Sequence, residues 1–253
     1  MDIIEHRAKV AGIETFWRQA GGAPILYVHG NPNNSDLWLP FLERTGGVAM
    51  DLPGFGRSAK PAHFDYSIGG YASWLDSFRR ELGWERCRVL AHDWGVVGLT
   101  LGNRLERVVL IDVVPFLPGY KWHRFARIWQ TPLLGELFQG TTTRWGLKRF
   151  LPGMSDEFID SIWDHYDHGT QRAVLKLYRS APPDVLARAG ERLGEIDAPA
   201  LVIWGGDDRY LPARFAHAYG EALGGEVEVI EGAGHWPWID KPELIERVCG
   251  FLR

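Results

Sequence analysis

Six short runs along the chain are almost continuously apolar rather than alternating, the pattern of strands buried on both faces of a parallel sheet. They fall at residues 24–28, 47–50, 88–91, 108–111, 200–204 and 227–230. Helical stretches separate most of them, at 68–82, 96–101, 214–223 and, last, 242–252. Strand alternating with helix predicts an α/β fold: a mostly parallel sheet covered by helices on both faces, its ligand site at the carboxyl ends of the strands.

The alternation breaks once. From about Pro115 to Gly194 only amphipathic helical segments occur, interrupted at Pro118-Gly119, Thr131-Pro132, Pro152-Gly153 and Pro182-Pro183. Residues 115–192 are therefore expected to form a helical cap, or lid, inserted in a core made of 1–114 and 193–253. A length of 253 residues suits one such domain with a lid and is short for two. Twelve tryptophans are many for this length, and those between 122 and 163 are expected to line an apolar pocket under the lid.

Charge and cysteine content narrow the partners. A net charge of −4 gives no overall electrostatic pull toward nucleic acid or an anionic membrane. Cys87 and Cys249 lack the number and spacing for a disulfide framework or metal site and are expected to be buried thiols. No basic-then-apolar leader opens the chain and no apolar run reaches 18 residues, so a cytoplasmic enzyme, monomeric or homodimeric, is the default expectation.

The chemistry centres on Ala91-His92-Asp93-Trp94-Gly95, a tight turn between a predicted strand and a predicted helix. Small residues two before and two after the central one relieve crowding in such a turn, and the usual pattern of this nucleophile elbow is Gly-x-Ser-x-Gly. Here the central residue is Asp93. A carboxylate is already ionised at neutral pH and attacks carbon without a base to deprotonate it. An Asp capping a helix N-terminus is the plainer explanation; the partners downstream weigh against it. Asp207 and Asp208 follow the strand ending at Trp204, and either is placed to orient a histidine. His235 follows the next strand between glycine and proline turn residues. Nucleophile, acid and histidine thus occur in that order at three strand ends. After the first strong strand, Gly30 allows a sharp turn that frees the Asn31 N–H to converge with the Trp94 N–H as an oxyanion hole. His29 reads as a structural hydrogen-bonding residue.

With these motifs in hand, the chain resembles an α/β-hydrolase of the haloalkane dehalogenase and epoxide hydrolase branch over essentially its whole length. His29-Gly30-Asn31-Pro32, with Ser35 and Leu37-Trp38 after it, is similar to the dehalogenase loop. Asp51-Leu52-Pro53-Gly54-Phe55-Gly56-Arg57-Ser58 is similar to the family's Asp-x-x-Gly-x-Gly-x-Ser turn, and His92-Asp93-Trp94-Gly95 resembles the elbow of both branches. The position of Pro212 makes Asp208 the implied triad acid and Asp207 its neighbour. Asp112 lies where one dehalogenase subgroup carries its acid and stays in reserve.

The resemblance implies a two-step mechanism. Asp93 displaces a leaving group from an sp3 carbon, forming an alkyl-enzyme ester; His235, oriented by Asp208, activates water to cleave it. A serine would form an ether that water does not readily cleave. If the leaving group is halide, Asn31 and Trp94 donate side-chain N–H groups to it, and neither has a proton to lose. The epoxide alternative needs cap acids. Tyr178 resembles one, but the place of the second falls on Phe125, with Tyr120 or Tyr166 as possible substitutes. A further alternative is an inactive α/β-hydrolase serving as a ligand-binding module. The expected partners are a small apolar organic substrate and water, with no nucleic acid and no membrane. No cofactor and no metal are called for: Asp164, His165 and His168 read as a solvated helix end.

Overall fold

A computed structural model describes all 253 residues. Its sheet has eight strands: β1 Ile4–Val10, β2 Ile13–Ala20, β3 Ile25–Val28, β4 Gly47–Met50, β5 Cys87–Asp93, β6 Leu105–Val113, β7 Ala200–Gly205 and β8 Glu226–Ile230. They lie in the order β1-β2-β4-β3-β5-β6-β7-β8. The β1/β2 and β2/β4 pairs are antiparallel and the remaining five pairs are parallel. The six expected strands are present. The β1/β2 hairpin was not anticipated, because β1 sits at the sheet edge with most of its residues exposed or half-buried and has no continuous apolar run.

The continuous patterning of the central strands follows from two apolar cores, one on each face. Leu26 and Val28 of β3 enter one while Ile25 and Tyr27 enter the other. The same split separates Val89 from Leu90 in β5, Val108 from Val109 in β6 and Val202 from Leu201 in β7. Successive side chains on a strand point to opposite faces, so a sheet with both faces covered needs apolar residues at every position.

The helices are α1 Leu39–Thr45, α2 Ile68–Glu81, α3 Arg124–Gln130, α4 Leu134–Gly140, α5 Arg144–Phe150, α6 Asp156–Trp163, α7 His168–Ser180, α8 Pro183–Ala189, α9 Arg214–Leu223, α10 Pro237–Asp240 and α11 Glu243–Leu252. The stretch expected to be helical at 96–101 is a 3-10 helix, Trp94–Arg104, kinked at Gly102. Six helices, α3 to α8, occupy the chain between β6 and β7, with no strand among them. The Pro-containing breaks read from the sequence fall between elements there, except that Pro183 is the first residue of α8, with Pro182 as its cap. α7 is anchored at both ends: the Asp167 carboxylate caps it at Thr170 N (2.9 Å), and Arg179 near its end pairs with Glu136 of α4 (2.7 Å). Ala173, Val174, Leu177 and Tyr178 form its buried face. No helix is long and apolar enough to cross a membrane, and Cys87 and Cys249 are buried free thiols.

Candidate active site

β5 ends in Asp93, which the turn into the Trp94–Arg104 helix holds at φ 53°, ψ −121°. A non-glycine residue in this region is strained, and the surroundings must hold it there. Two glycines make the room. A Cβ on Gly95 would stand 1.9 Å from the Val28 carbonyl oxygen, and one on Gly30 would stand 2.2 Å from Asp93 Oδ1. Without side chains at these points the loop after β3 closes on the carboxylate, and the Asn31 backbone N–H donates to Asp93 Oδ1 at 2.8 Å. The Trp94 N–H supports the same carboxylate.

Asp93 is buried, and burial pushes its carboxyl up to about 6, opposed by His235 and the two backbone N–H groups. His235 follows β8, with Nε2 3.8 Å from Asp93 Oδ2 and Nδ1 2.7 Å from Asp208 Oδ2. Burial disfavours the imidazolium, but Asp208 and then Asp93 outweigh it, so the His235 pKa is raised. Asp208 also accepts Tyr210 N (2.7 Å) and Leu211 N (3.1 Å) at Oδ1. Burial pushes Asp208 up as well, yet His235 and these donors hold it below the usual carboxylate range.

The two other aspartates separate clearly. Asp207 is exposed. Asp112, at the end of β6, accepts Gly205 N at 3.0 Å, and burial plus the adjacent Asp208 charge push its carboxyl far up, so it stands protonated beside Asp208. Asp112, Asp208 and His235 bring potential ligand atoms within 4.8 Å of one another. As arranged, however, Asp208 spends its oxygens on His235, Tyr210 and Leu211, so it holds the histidine from behind.

Two further histidines are structural. The Leu52 N–H donates to His29 Nε2 (3.0 Å), which fixes the proton on Nδ1, facing the Gly30 carbonyl at 2.8 Å. His92 Nε2 lies 2.8 Å from the His235 carbonyl oxygen, and its ring packs 4.5 Å from the His235 ring. Desolvation lowers both pKa values, so both rings are neutral.

Asp93 and His235 open onto a cavity of about 60 Å³ lined mostly by apolar side chains. Asn31 lines it with Nδ2 3.5 Å from the Tyr178 hydroxyl. The buried Trp94 Nε1 has no hydrogen-bond partner, and the Trp94 ring meets Tyr178 edge-on at 5.3 Å. Trp122 and Trp129 pack around Tyr178 at 4.9 and 4.8 Å. Tyr178 is buried and its hydroxyl is pushed far up, so it stays protonated.

Phe125 lines the cavity where a hydroxyl would be wanted. Tyr166 also lines it but donates to Gln139, while the buried Tyr120 is not among the lining residues. The expectation that tryptophans from 122 to 163 line the pocket is corrected: only Trp129 among them does, and phenylalanines 125, 138 and 150 do most of the lining there. Trp145 is 75% exposed. His168 is exposed and bonded to Gln171.

One lining residue escaped the sequence reading. His123 accepts Ala126 N at Nδ1 (3.3 Å), which leaves an Nε2–H donor on a ring that faces the cavity. Burial lowers its pKa to about 4, so it is neutral near pH 7. Its place just before α3, as the helix cap, was the available signal.

A mostly parallel sheet that presents Asp93, Asp208 and His235 at the ends of β5, β7 and β8, below a run of helices, is the layout of an α/β hydrolase. The chain belongs to the alpha/beta hydrolase family, whose model matches residues 25–248. Within it the chain falls in the haloalkane dehalogenase and epoxide hydrolase branch. It is 30% identical to a haloalkane dehalogenase of Mycolicibacterium paratuberculosis, across 91% of this chain and 83% of that protein. It is similar in structure to haloalkane dehalogenase DbeA from Bradyrhizobium elkani: 25% identity, TM-score 0.84, covering 99% of this chain and 98% of that one. The epoxide hydrolase CorEH shares the fold at 21% identity and a TM-score of 0.83, with 99% and 98% covered.

Proposed function

We propose that this hydrolase acts through a covalent ester on Asp93 and removes halide from a small apolar haloalkane. The observation that carries the reading is the pair of side-chain donors beside the nucleophile, Trp94 Nε1 without a partner and Asn31 Nδ2 with only a 3.5 Å contact. Uncharged N–H donors with no partner, as on Trp94, or one long contact, as on the half-buried Asn31, suit a large, weakly basic anion. The dehalogenase relatives support the same choice.

In the first step an Asp93 oxygen attacks the carbon, the carbon–halogen bond breaks, and halide departs with the bonding pair. In the second, water adds to the ester carbonyl while its proton passes to His235 Nε2. The backbone N–H groups of Asn31 and Trp94 hold the oxyanion. Collapse breaks the bond between the acyl carbon and the alkoxy oxygen; the alkoxide takes the proton from His235 and leaves as the alcohol, and Asp93, now carrying the water oxygen, loses its own proton to solvent and is a carboxylate again. Asp208 fixes the His235 tautomer through Nδ1, and residues 115–192 serve as the lid that keeps bulk water out.

A second reading, epoxide hydrolysis, is favoured by one observation: the Tyr178 hydroxyl lies beside Asn31 and Trp94, where it would protonate the alkoxide of an opening epoxide. A third, a binding module without turnover, predicts that Asp93→Asn leaves the protein's physiological output unchanged.

The test is to assay halide release from short bromo- and iodoalkanes and diol formation from styrene-type epoxides. In parallel, the His235→Gln variant is mixed with substrate and analysed by mass spectrometry. The expected result is an alkyl group retained on the peptide containing Asp93. Turnover by the wild type with no adduct in the variant rules out the ester mechanism, and no turnover of either class removes both enzymatic readings.

A further inference from the structure

The overall charge of −4 conceals an uneven distribution. Residues 121–149 contain six lysines and arginines against one acidic residue, Glu136, and Glu136 is committed to Arg179. Arg144 and Lys148 are neutralised by Asp156 and Asp160 of α6. Lys121, Arg124, Arg127 and Arg149 are exposed and have no acidic partner.

Beside them stands the largest concentration of exposed apolar side chains in the molecule. Leu133 is 83%, Leu134 47% and Leu137 65% exposed, at the start and on the outer side of α4. Leu133 is held at φ 66°, outside the region a leucine ordinarily adopts. Arg124, Arg127, Ile128, Thr131 and Leu134 line one shallow surface groove, so two of the free arginines share a face with Leu134, and Leu137 follows it three residues on along the same side of α4. On α5 the exposed Trp145 and Arg149 repeat the pairing four residues apart, on one side of that helix.

We infer that this face of α3 and α4 docks on the surface of an anionic lipid bilayer. Leucine and tryptophan side chains enter the headgroup boundary while unpaired arginines meet the lipid phosphates, the composition of an interfacial helix. A second copy of the chain fits less well, because a twofold contact would set this basic face against itself. The inner sides of α3, α4 and α5 supply Phe125, Phe138 and Phe150 to the cavity, so a docked protein would take an apolar substrate from the lipid phase. That last clause rests on the proposed hydrolysis; the docking does not.

The experiment is co-sedimentation with vesicles of phosphatidylglycerol and phosphatidylcholine, and with vesicles of phosphatidylcholine alone. Wild-type protein is expected to bind the anionic vesicles, to release as salt is raised, and to ignore the neutral ones. Arg124→Gln/Arg127→Gln is expected to lose about tenfold or more of the affinity, and Leu134→Gln/Leu137→Gln is expected to lose binding while hydrolysing dissolved substrate normally. No binding to anionic vesicles, equal binding to neutral ones, or binding unchanged in both variants overturns the inference. So does a dimer in analytical ultracentrifugation that Leu134→Gln/Leu137→Gln dissociates, which would give the face to a second copy. The wild-type comparison of the two vesicle types decides the matter even if a variant fails to fold.

Discussion

His235 Nε2 stands 3.8 Å from Asp93 Oδ2, while the opposite side of the ring holds Asp208 Oδ2 at 2.7 Å. The ring is thus oriented from behind by a hydrogen bond and left uncommitted on the side that faces Asp93, since 3.8 Å is beyond hydrogen-bond reach. A base that acts on water needs that free nitrogen, and a nucleophile that acts on carbon needs an oxygen no proton donor has claimed.

This arrangement sets the pH dependence. Asp93 must be ionised to attack, and burial raises its carboxyl to about 6. His235 must be neutral to accept a proton from water, and Asp208 and Asp93 raise its pKa as well. Both requirements fail as pH falls, so kcat/KM for halide release should decline through pH 6 as Asp93 is protonated, while kcat, which includes ester hydrolysis, should carry the His235 limb as well. A pH–rate profile checks this. A flat profile down to the ordinary carboxylate range, near pH ~4, would show that neither group limits the reaction.

The same shift makes a stability prediction with a definite sign. A folded-state pKa above the unfolded value means that the unfolded chain releases the proton first, so the ionised carboxylate opposes folding. The penalty is absent below about pH 4 and complete above about pH 6. Asp93→Asn removes it and keeps an acceptor for the Asn31 N–H. The variant should gain on the order of 3 kcal/mol at pH 8 and nothing at pH 4. Denaturant titrations at the two pH values measure the difference; a loss of stability at pH 8 would mean that the ionised form is better solvated than its burial implies.

Asp208 and Asp112 should behave differently despite lying side by side. Asp208→Asn disrupts the His235 tautomer and should slow ester hydrolysis by about 10³–10⁴, with less effect on the alkylation step. Asp112 is a protonated donor next to Asp208, and Asn retains an N–H for that purpose, so Asp112→Asn should stay within about threefold. Single-turnover kinetics separates the two steps. If Asp112→Asn stalls hydrolysis and Asp208→Asn does not, the acid role passes to Asp112.

These pairs also show what the sequence could reveal. Strands β3 to β7 were legible because burial on both faces writes a continuous apolar run; the edge strand β8 showed only through Val227, Val229 and Ile230, and β1, solvated at the other edge, wrote no run. The elbow was legible because its geometry demands small residues, and Gly30 and Gly95 sit where any Cβ would collide. The resemblance, through Pro212, pointed to Asp208 with Asp112 in reserve; the distance that separates them, 2.7 Å from Asp208 to a residue far along the chain, is written only in the fold. The cavity lining was obscured for the same reason. Trp145 and Phe138 are both large aromatics in short helices, and only the packing of those helices on one another decides that the first faces solvent and the second lines the cavity.

Tyr178 separates the two substrate classes. Its hydroxyl is held protonated by burial, 3.5 Å from Asn31 Nδ2 and against the edge of Trp94. Halide departs as a stable anion and needs no proton, so for a bromoalkane the hydroxyl supplies at most one weak donor. Tyr178→Phe should then lower kcat/KM by less than about tenfold, with a small loss in the alkylation step. An epoxide opens to an alkoxide that must be protonated, and losing that acid should cost about 10²–10⁴ in the same step. His123 Nε2–H is a second cavity-facing neutral donor, so His123→Leu in the Tyr178→Phe background should lower residual epoxide turnover further and spare the bromoalkane. Parallel measurement of bromide and diol release from the same preparations decides between them. Equal loss on both substrates would mean that the tyrosine shapes the cavity rather than delivering a proton.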